Sequence, residues 1–343
     1  MNHDIAMPAI ISVTDKRRIS ARQQKARGIM LGLSLGLVVT VFAAVGCGAV
    51  RYTPAEIVSL LARPDQTTVL WAIRLPRVIY GLLIGTALAM AGAALQALLR
   101  NPLADPGLLG VSSGAAVAAC GVIMLGHFIR PASLSIAAFA GGLLATLAVY
   151  KIGRGTVATM LLAGIAINAL CLSGIGLFTF LATDVQLRSL TFWSLGSLGG
   201  ATWAGVQTIA PLLIVPAGLL ATQSRALNVF ALGEAEAGHL GIDVGRVKIV
   251  VVLLVAVLVG VSVAVAGIIA FVGLIVPHCV RLWIGPDHRY LMPASAILGS
   301  ALLLAADTLA RTAVVPAELP VGVVTSLVGA PFFLWLVRRG RTT

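Results

Sequence analysis

The sequence predicts an all-α polytopic membrane protein with about ten transmembrane helices. Of its 343 residues, 59% are hydrophobic and 10% are charged, whereas soluble domains contain ~45–50% apolar and ~25% charged residues. The apolar runs are about 20 residues long, which is the length of a membrane-spanning helix and about twice that of a barrel strand. The 37 glycines suit closely packed transmembrane helices, because small residues let helix backbones approach one another.

Ten apolar runs, bounded by charges or by proline and glycine clusters, define the predicted spans. The eighth run is the weakest because it is short and contains Pro277, His278 and Arg281. Nine crossings with one re-entrant segment at that position are therefore the alternative. The ten runs cover residues 29–50, 78–99, 108–126, 132–150, 157–182, 203–222, 247–270, 271–285, 292–313 and 320–337.

The basic segment before the first span has two interpretations. Lysines and arginines between positions 16 and 27 precede an apolar run that reaches Ala-Val-Gly-Cys at 44–47, a pattern similar to a lipoprotein signal. The run covers residues 28–50, which is longer than the ~7–15-residue core of a signal peptide. We therefore expect an uncleaved first helix, with residues 1–28 as a basic cytoplasmic tail and residues 29–343 as a single transmembrane domain.

The distribution of positive charge predicts that both termini lie in the cytoplasm. With ten spans and a cytoplasmic tail, 17 of the 24 lysines and arginines fall on the cytoplasmic side, as the positive-inside rule requires. The others fall outside, and two of them, Arg74 and Arg77, directly precede the second span. Topology thus explains the net charge of +12. The basic residues do not form the single patch that is typical of nucleic-acid-binding proteins.

Two connections are long enough to have a structure of their own. The outer one, residues 51–71, contains Thr-Pro-Ala-Glu at 53–56, an N-cap followed by proline in the first turn, and so predicts a short surface helix. The inner one, residues 223–248, contains helix-forming residues between glycines at 231–241 and predicts one or two short amphipathic helices. This inner loop is either a solvated connector or a platform that a soluble partner grips in a helix-in-groove mode.

The sequence contains no catalytic or nucleotide-binding constellation. Its histidines lack an HExxH or other paired spacing, its acidic residues do not cluster, and it has no Walker A motif, so any ATP-driven work needs another polypeptide. The four cysteines lie in or beside apolar segments without CxxC spacing, and we interpret them as packing residues. We expect no enzymatic activity, no bound cofactor and no metal site in this chain.

Three charged residues on the outer side are interpreted from their sequence context. Asp307 and Arg311 are four residues apart near the outer end of the ninth span, where they can form a helical ion pair. Arg188 lies among apolar residues. It is either an interfacial charge that snorkels to water or a cation that faces an anionic substrate.

Five segments of this sequence resemble the permease subunits of ATP-binding-cassette (ABC) importers of the FecCD type, which take up iron-siderophores, haem and cobalamin. The similarity runs from about residue 71 to the C-terminus. Within the family, the sequence of residues 100–116 is most similar to that of the bacterial haem (hemin) uptake permeases. The five segments are residues 74–116, 232–242, 267–282, 285–289 and 317–337.

The resemblance implies a type II importer permease in the bacterial inner membrane. Its expected partners are a second copy of the permease, two cytoplasmic ATPase subunits that carry ATP and Mg, and a periplasmic haem-binding protein. Haem is then the transported substrate, moved by alternating access along the two-fold axis of the homodimer. The alternative within the family is a ferric-siderophore or cobalamin permease. The alternative of another class is an ion-coupled secondary transporter, which the near absence of intramembrane acids disfavours.

The resemblance also implies roles for individual residues. Arg74, Arg77 and Arg311 are expected to dock the binding protein through exposed contacts. Such contacts would set the register and the association rate of docking more than its affinity. The translocation pathway includes the fifth span and Arg188, with Thr156 and Thr159 near the inner gate. Coupling to the ATPase falls to Leu232, Gly233, Glu234, Ala235, Ala237, Leu240 and Gly241.

Overall fold

The computed structural model describes residues 13–48, 50–61, 69–125, 131–153, 156–314 and 316–340, which form helices and connections without a β-strand. The first half contains α1 (Val13–Gly46), α2 (Pro54–Leu61), α3 (Leu75–Leu98), α4 (Val111–Met124), α5 (Pro131–Ile152), α6 (Val157–Leu181) and α7 (Asp184–Ser194). The second half contains α8 (Trp203–Thr222), α9 (Ser224–Phe230), α10 (Glu234–His239), α11 (Val244–Ala266), α12 (Val272–Ile284), α13 (His288–Thr312) and α14 (Val321–Gly340). The predicted all-α class is confirmed.

Ten apolar helices occupy the positions of the ten predicted spans. Among the described residues, seven of them are long and apolar enough to cross a membrane, namely α1, α3, α5, α6, α8, α11 and α13, while α4, α12 and the apolar part of α14 are shorter. The weak eighth span corresponds to α12, which has 13 residues and is therefore ~20 Å long. Helix α1 begins at Val13, so it includes part of the predicted tail; residues 1–12 lie outside the described part of the chain.

Helix α3 is the centre of the bundle and packs against α8, α11, α12 and α13. It is rich in alanine and glycine, and most of its side chains are buried. Two glycine pairs bring backbones into direct contact: Gly85 with Gly299 of α13, and Gly92 with Gly273 of α12. A Cβ atom on Gly92 would collide with the carbonyl group of Gly273. The small residues are therefore required for this packing.

Helices α4, α5 and α6 form a second group that joins the centre through contacts between α5 and α11. Helix α6 lies at the edge, and much of its surface touches nothing within the chain. The exposed large apolar side chains along it are Leu162, Ile165, Leu170, Leu172, Leu177, Phe180 and Leu181.

The outer connection contains the predicted surface helix, α2. The Thr53 backbone N–H donates to Glu56 Oε2 at 2.7 Å, and the Glu56 backbone N–H donates to Thr53 Oγ1 at 3.3 Å. This reciprocal arrangement is a capping box. Hydrogen bonds from the Thr53 backbone and side chain lower the pKa of the exposed Glu56 carboxyl group. Residues 62–68 of the same connection lie outside the described part of the chain.

Candidate functional site

At the end of the bundle predicted to face outwards, Arg77 of α3 forms two ion pairs with residues far along the chain. Its Nε atom donates to both carboxylate oxygens of Asp307 at 3.1 Å, and its Nη2 donates to Asp307 Oδ1 at 2.9 Å. Its Nη1 donates to Glu318 Oε2 at 2.8 Å. Asp307 also pairs with Arg311, whose Nε lies 3.2 Å from Asp307 Oδ2, so the predicted i,i+4 pair is present.

The other two arginines at this end bind the last turn of α1. Arg74 donates to the carbonyl oxygens of Val45, at 2.6 Å, and Gly46, and Arg311 donates to those of Ala44, at 2.8 Å, and Cys47. The final carbonyls of a helix lack intrahelical partners and carry partial negative charge. Arg74 and Arg311 therefore act as a C-terminal cap for α1. Arg74 also donates to Val50 and lies 4.9 Å from the centre of the Tyr52 ring.

We call these five charged residues, Arg74, Arg77, Asp307, Arg311 and Glu318, the outer charge cluster. The expectation that the arginines are exposed is wrong: Arg74 and Arg77 are only 5% and 7% exposed. The physical reason is that Arg77 is paired with Asp307 and Glu318 inside the chain, while Arg74 donates to backbone carbonyls at the end of α1. Glu318 is the accessible member, with a side chain that is 51% exposed. Three arginines against two carboxylates leave the cluster with one net positive charge.

The inner loop contains two short helices. Helix α10 lies within residues 231–241, where the sequence predicts one or two short helices, and α9 precedes that segment. We call residues 231–241 the coupling platform. Leu232 and Leu240 are 64% and 63% exposed, and Ala235 and Gly241 are exposed as well. Two apolar side chains held in water at either end of one short helix form a surface suited to a partner's groove.

The other residues expected in coupling lie beneath this surface. Ala237 is fully buried and Gly233 is buried with a φ of +131°, a backbone conformation that favours glycine. Glu234 accepts a hydrogen bond of 2.6 Å from Lys248 Nζ of α11. The platform is thus joined to a long apolar helix by a charged contact that is largely shielded from water.

A second link between this region and the bundle was not identified from the sequence. Asn228 of α9 donates through Nδ2 to Asp287 Oδ1 at 2.7 Å and accepts through Oδ1 from the His288 backbone N–H at 2.8 Å. The His288 Nδ1 atom lies 2.9 Å from the same amide oxygen. Asn228 therefore fixes α9 to the first turn of α13. The signal for this link that the sequence offered was an asparagine between apolar residues.

The residues predicted at the inner gate form the start of α6. Thr156 is its N-cap: the Thr159 backbone N–H donates to Thr156 Oγ1 at 3.2 Å, and the Thr156 backbone N–H donates to Thr159 Oγ1 at 3.2 Å. A cavity of about 640 Å³ separates this cap from the coupling platform and is lined by Thr156, Arg100, Glu234 and Glu236 among others. The predicted gate and the predicted coupling residues therefore face the same space.

Arg188 lies on α7, a helix that was not predicted in the outer segment after the fifth span. Thr183 and Gln186 form its capping box, with the Thr183 backbone N–H donating to Gln186 Oε1 at 2.9 Å. The Thr-x-x-Gln pattern at this position was the missed signal. Arg188 is exposed, as are Val185 and Phe192 of the same helix.

The part of the chain that the structure describes contains no group of three or more His, Cys, Asp or Glu side chains that could hold a metal ion. Its four cysteines are free, and three of them, Cys120, Cys171 and Cys279, are buried or half-buried. These buried or half-buried side chains offer packing contacts.

Comparisons with known proteins agree on one class. The family model described as the FecCD transport family matches residues 36–339. The hemin transport system permease HmuU of Yersinia pestis is 49% identical over 278 residues, covering 78% of this chain and 83% of HmuU. The vitamin B12 import system permease BtuC of Klebsiella pneumoniae is 40% identical over 323 residues, covering 93% of this chain and 96% of BtuC. Among solved structures, an inward-facing metal-chelate type ABC transporter superposes with a TM-score of 0.85 at 30% identity, covering 91% of this chain and 99% of that one.

Proposed function

Because this chain belongs to the FecCD transport family, and is thus a membrane-spanning permease of a metal-chelate type ABC importer in the bacterial inner membrane, we propose that its substrate is haem. Haem combines a large apolar ring with two anionic propionates. The permease itself breaks no bond. It provides a route from a periplasmic binding protein to the cytoplasm, and both termini lie on the cytoplasmic side.

The observation that carries this proposal is the pairing of an exposed apolar helix with an exposed cation. Helix α6 presents unpartnered apolar side chains along its length, and α7, which follows it directly, presents Arg188. A ring with carboxylates at one edge suits such a surface, because the apolar face gives no tight polar site and the guanidinium attracts the propionates. The identity to a hemin permease supports the same substrate.

We assign the exposed face of α6 to the two-fold interface of a homodimer. Each permease then contributes one α6 and one Arg188 to a shared pathway. Two ATPase subunits, which carry ATP and Mg, grip the coupling platforms through Leu232 and Leu240. ATP binding and hydrolysis move the platforms, and the capped start of α6, at Thr156 and Thr159, acts as the inner gate.

For the outer charge cluster we propose docking of the binding protein. An acidic side chain of that protein competes with the half-exposed Glu318 for Arg77, and the net positive charge of the cluster steers its approach. Arg74 and Arg311 keep their bonds to α1 during docking and hold the end of α1 in place. The charge of the cluster therefore affects the register in which the binding protein docks and the rate at which it associates.

The test is ATPase stimulation in proteoliposomes that contain the permease and its ATPase subunits. We expect stimulation by the haem-loaded binding protein at least several times greater than by siderophore-loaded or cobalamin-loaded binding proteins. If the haem-loaded binding protein failed to stimulate the ATPase while another loaded binding protein did so, the proposal that haem is the substrate would be refuted. Cobalamin is the second candidate, supported by the longer alignment with a vitamin B12 permease, and the same assay distinguishes it.

A further inference from the structure

A large groove lies on the bundle at the end where α8 finishes and α13 begins, away from the outer charge cluster. It encloses about 840 Å³ between α3, α8 and α13. Its wall is mainly apolar, with contributions from Leu83 and Met90 of α3, Ile214 and Ala217 of α8, and Ala296 of α13. The adjoining outward face of α8 is also apolar, with Ile214, Val215 and Leu219 exposed. In a bundle that spans a membrane, such a face borders the acyl chains of the bilayer.

Two arginines, Arg225 and Arg289, line the mouth of this groove, and both are exposed. Neither forms an ion pair with another described residue, and the groove is lined by no aspartate or glutamate. The nearest acid in sequence, Asp287, uses its Oδ1 to accept from Asn228 Nδ2 at 2.7 Å and from the Arg289 backbone N–H at 3.0 Å. The mouth therefore carries two arginines whose guanidinium groups form no ion pair with a described residue.

The polar side chains in the wall are satisfied within the protein. Thr86 Oγ1 and Ser300 Oγ are 2.8 Å apart in a hydrogen bond, and Ser224 Oγ donates to the Ala221 carbonyl oxygen at 2.5 Å. These hydroxyl groups therefore have little remaining capacity to form hydrogen bonds with an occupant of the groove. At Gly218, which lies in the wall, a Cβ atom would meet nothing within 4 Å, so the groove has free space there. The occupant that fits is apolar along the groove and anionic at the mouth.

We propose that this groove binds an anionic phospholipid of the bilayer. The headgroup phosphate accepts charge-assisted hydrogen bonds from Arg225 and Arg289, and one acyl chain lies along the groove between α8 and α13. A second copy of this chain is a poor occupant, because a symmetric contact at the mouth would bring four unpaired arginines together. A free phosphate would leave the apolar groove unfilled.

The experiment measures lipid retention by native mass spectrometry on the full-length permease assembled with its ATPase subunits. After delipidation, the complex is supplied with phosphatidylglycerol or with phosphatidylcholine. We expect preferential binding of phosphatidylglycerol, and its reduction by about tenfold or more in Arg225→Gln/Arg289→Gln, because charge-assisted bonds to the phosphate are lost. The matched control is Arg246→Gln, which removes an exposed arginine at the start of α11, outside the groove, and leaves retention unchanged.

A second variant separates the lipid from other occupants. Gly218→Trp fills the groove where space is free and keeps both arginines, so we expect loss of phosphatidylglycerol with an unchanged thermal midpoint. Retention of the lipid in Gly218→Trp, or its displacement by inorganic phosphate alone, would overturn the proposal in favour of a simple phosphate site. Equal binding of the two lipids to the unmodified protein would overturn it as well. Cross-linking of Gly218→Cys to a second copy in membranes would identify the groove as a protein interface instead.

Discussion

Arg77 and Asp307 are 230 positions apart in the sequence and are joined by three hydrogen bonds of 2.9–3.1 Å. The contact ties the start of α3 to the end of α13, two helices that already pack along their lengths. Both side chains are buried, so neither charge can be hydrated by water when its partner is removed. Arg311 and Glu318 complete the same arrangement.

We predict that Asp307→Asn lowers the thermal midpoint of the purified permease complex strongly. Removing one partner of a buried ion pair leaves an uncompensated charge and costs about 3–5 kcal/mol, and here two arginines lose their shared carboxylate. Glu318→Gln is the matched control, since a pair with a half-exposed partner contributes only about 0.2–1 kcal/mol. Tryptophan fluorescence during heating measures both. Equal midpoints for the two variants would contradict the buried arrangement.

We predict that Gly92→Ala destabilises the bundle by about 1–3 kcal/mol, the usual cost of overpacking. The added methyl group meets the carbonyl of Gly273 on α12, so α3 and α12 must separate. Gly36→Ala provides the comparison, because nothing lies within 4 Å of its Cβ position on α1. Thermal midpoints measure the difference, and we expect Gly36→Ala to be neutral. A stable Gly92→Ala protein would disprove the close contact.

We predict that Lys248→Met reduces the stimulation of the ATPase by loaded binding protein while the complex still assembles. The ion pair between Glu234 and Lys248 joins the coupling platform to α11, and without it the platform moves independently. Lys248→Arg keeps the charge and should retain stimulation. A double-mutant cycle with Glu234→Gln should give a coupling energy of up to about 1 kcal/mol. Additive effects of the two substitutions would show that the pair transmits nothing.

We predict that Arg188→Gln slows haem uptake by roughly tenfold at low salt and by less at high salt, because steering by an exposed charge is screened. Haem dimethyl ester lacks the free propionates, so its uptake should respond little to the same substitution. Arg188→Lys preserves the charge and should retain uptake of haem. Uptake assays in proteoliposomes measure all three of these effects. An equal effect of Arg188→Gln on haem and on the ester would indicate a structural role.

Much of the architecture was predictable because hydropathy and capping are local properties. The spans and α2 follow from runs and caps that can be read over a few residues. Helix α7 was missed even though the capping box at its start, Thr183 with Gln186, is equally local. The partners of Arg74 were beyond prediction for another reason. Its bonds go to backbone carbonyls of α1, and a carbonyl has no side-chain signature in a sequence. The sequence therefore indicated an arginine without a partner, whereas the folded chain provides backbone carbonyls as its partners.

The cap on α1 has a consequence for the order in which the protein is made. Arg74 can bind the carbonyls of Val45 and Gly46 once α3 is made. The Ala44 carbonyl waits for Arg311, a bond that spans 267 positions, and Arg77 waits for Asp307. At synthesis rates of roughly 5–20 residues per second, the 230 positions between Arg77 and Asp307 represent on the order of 10–50 s. During that interval α1 and α3 are already in the membrane with positive charges at their outer ends. The first helices to be inserted are thus completed only when α13 arrives.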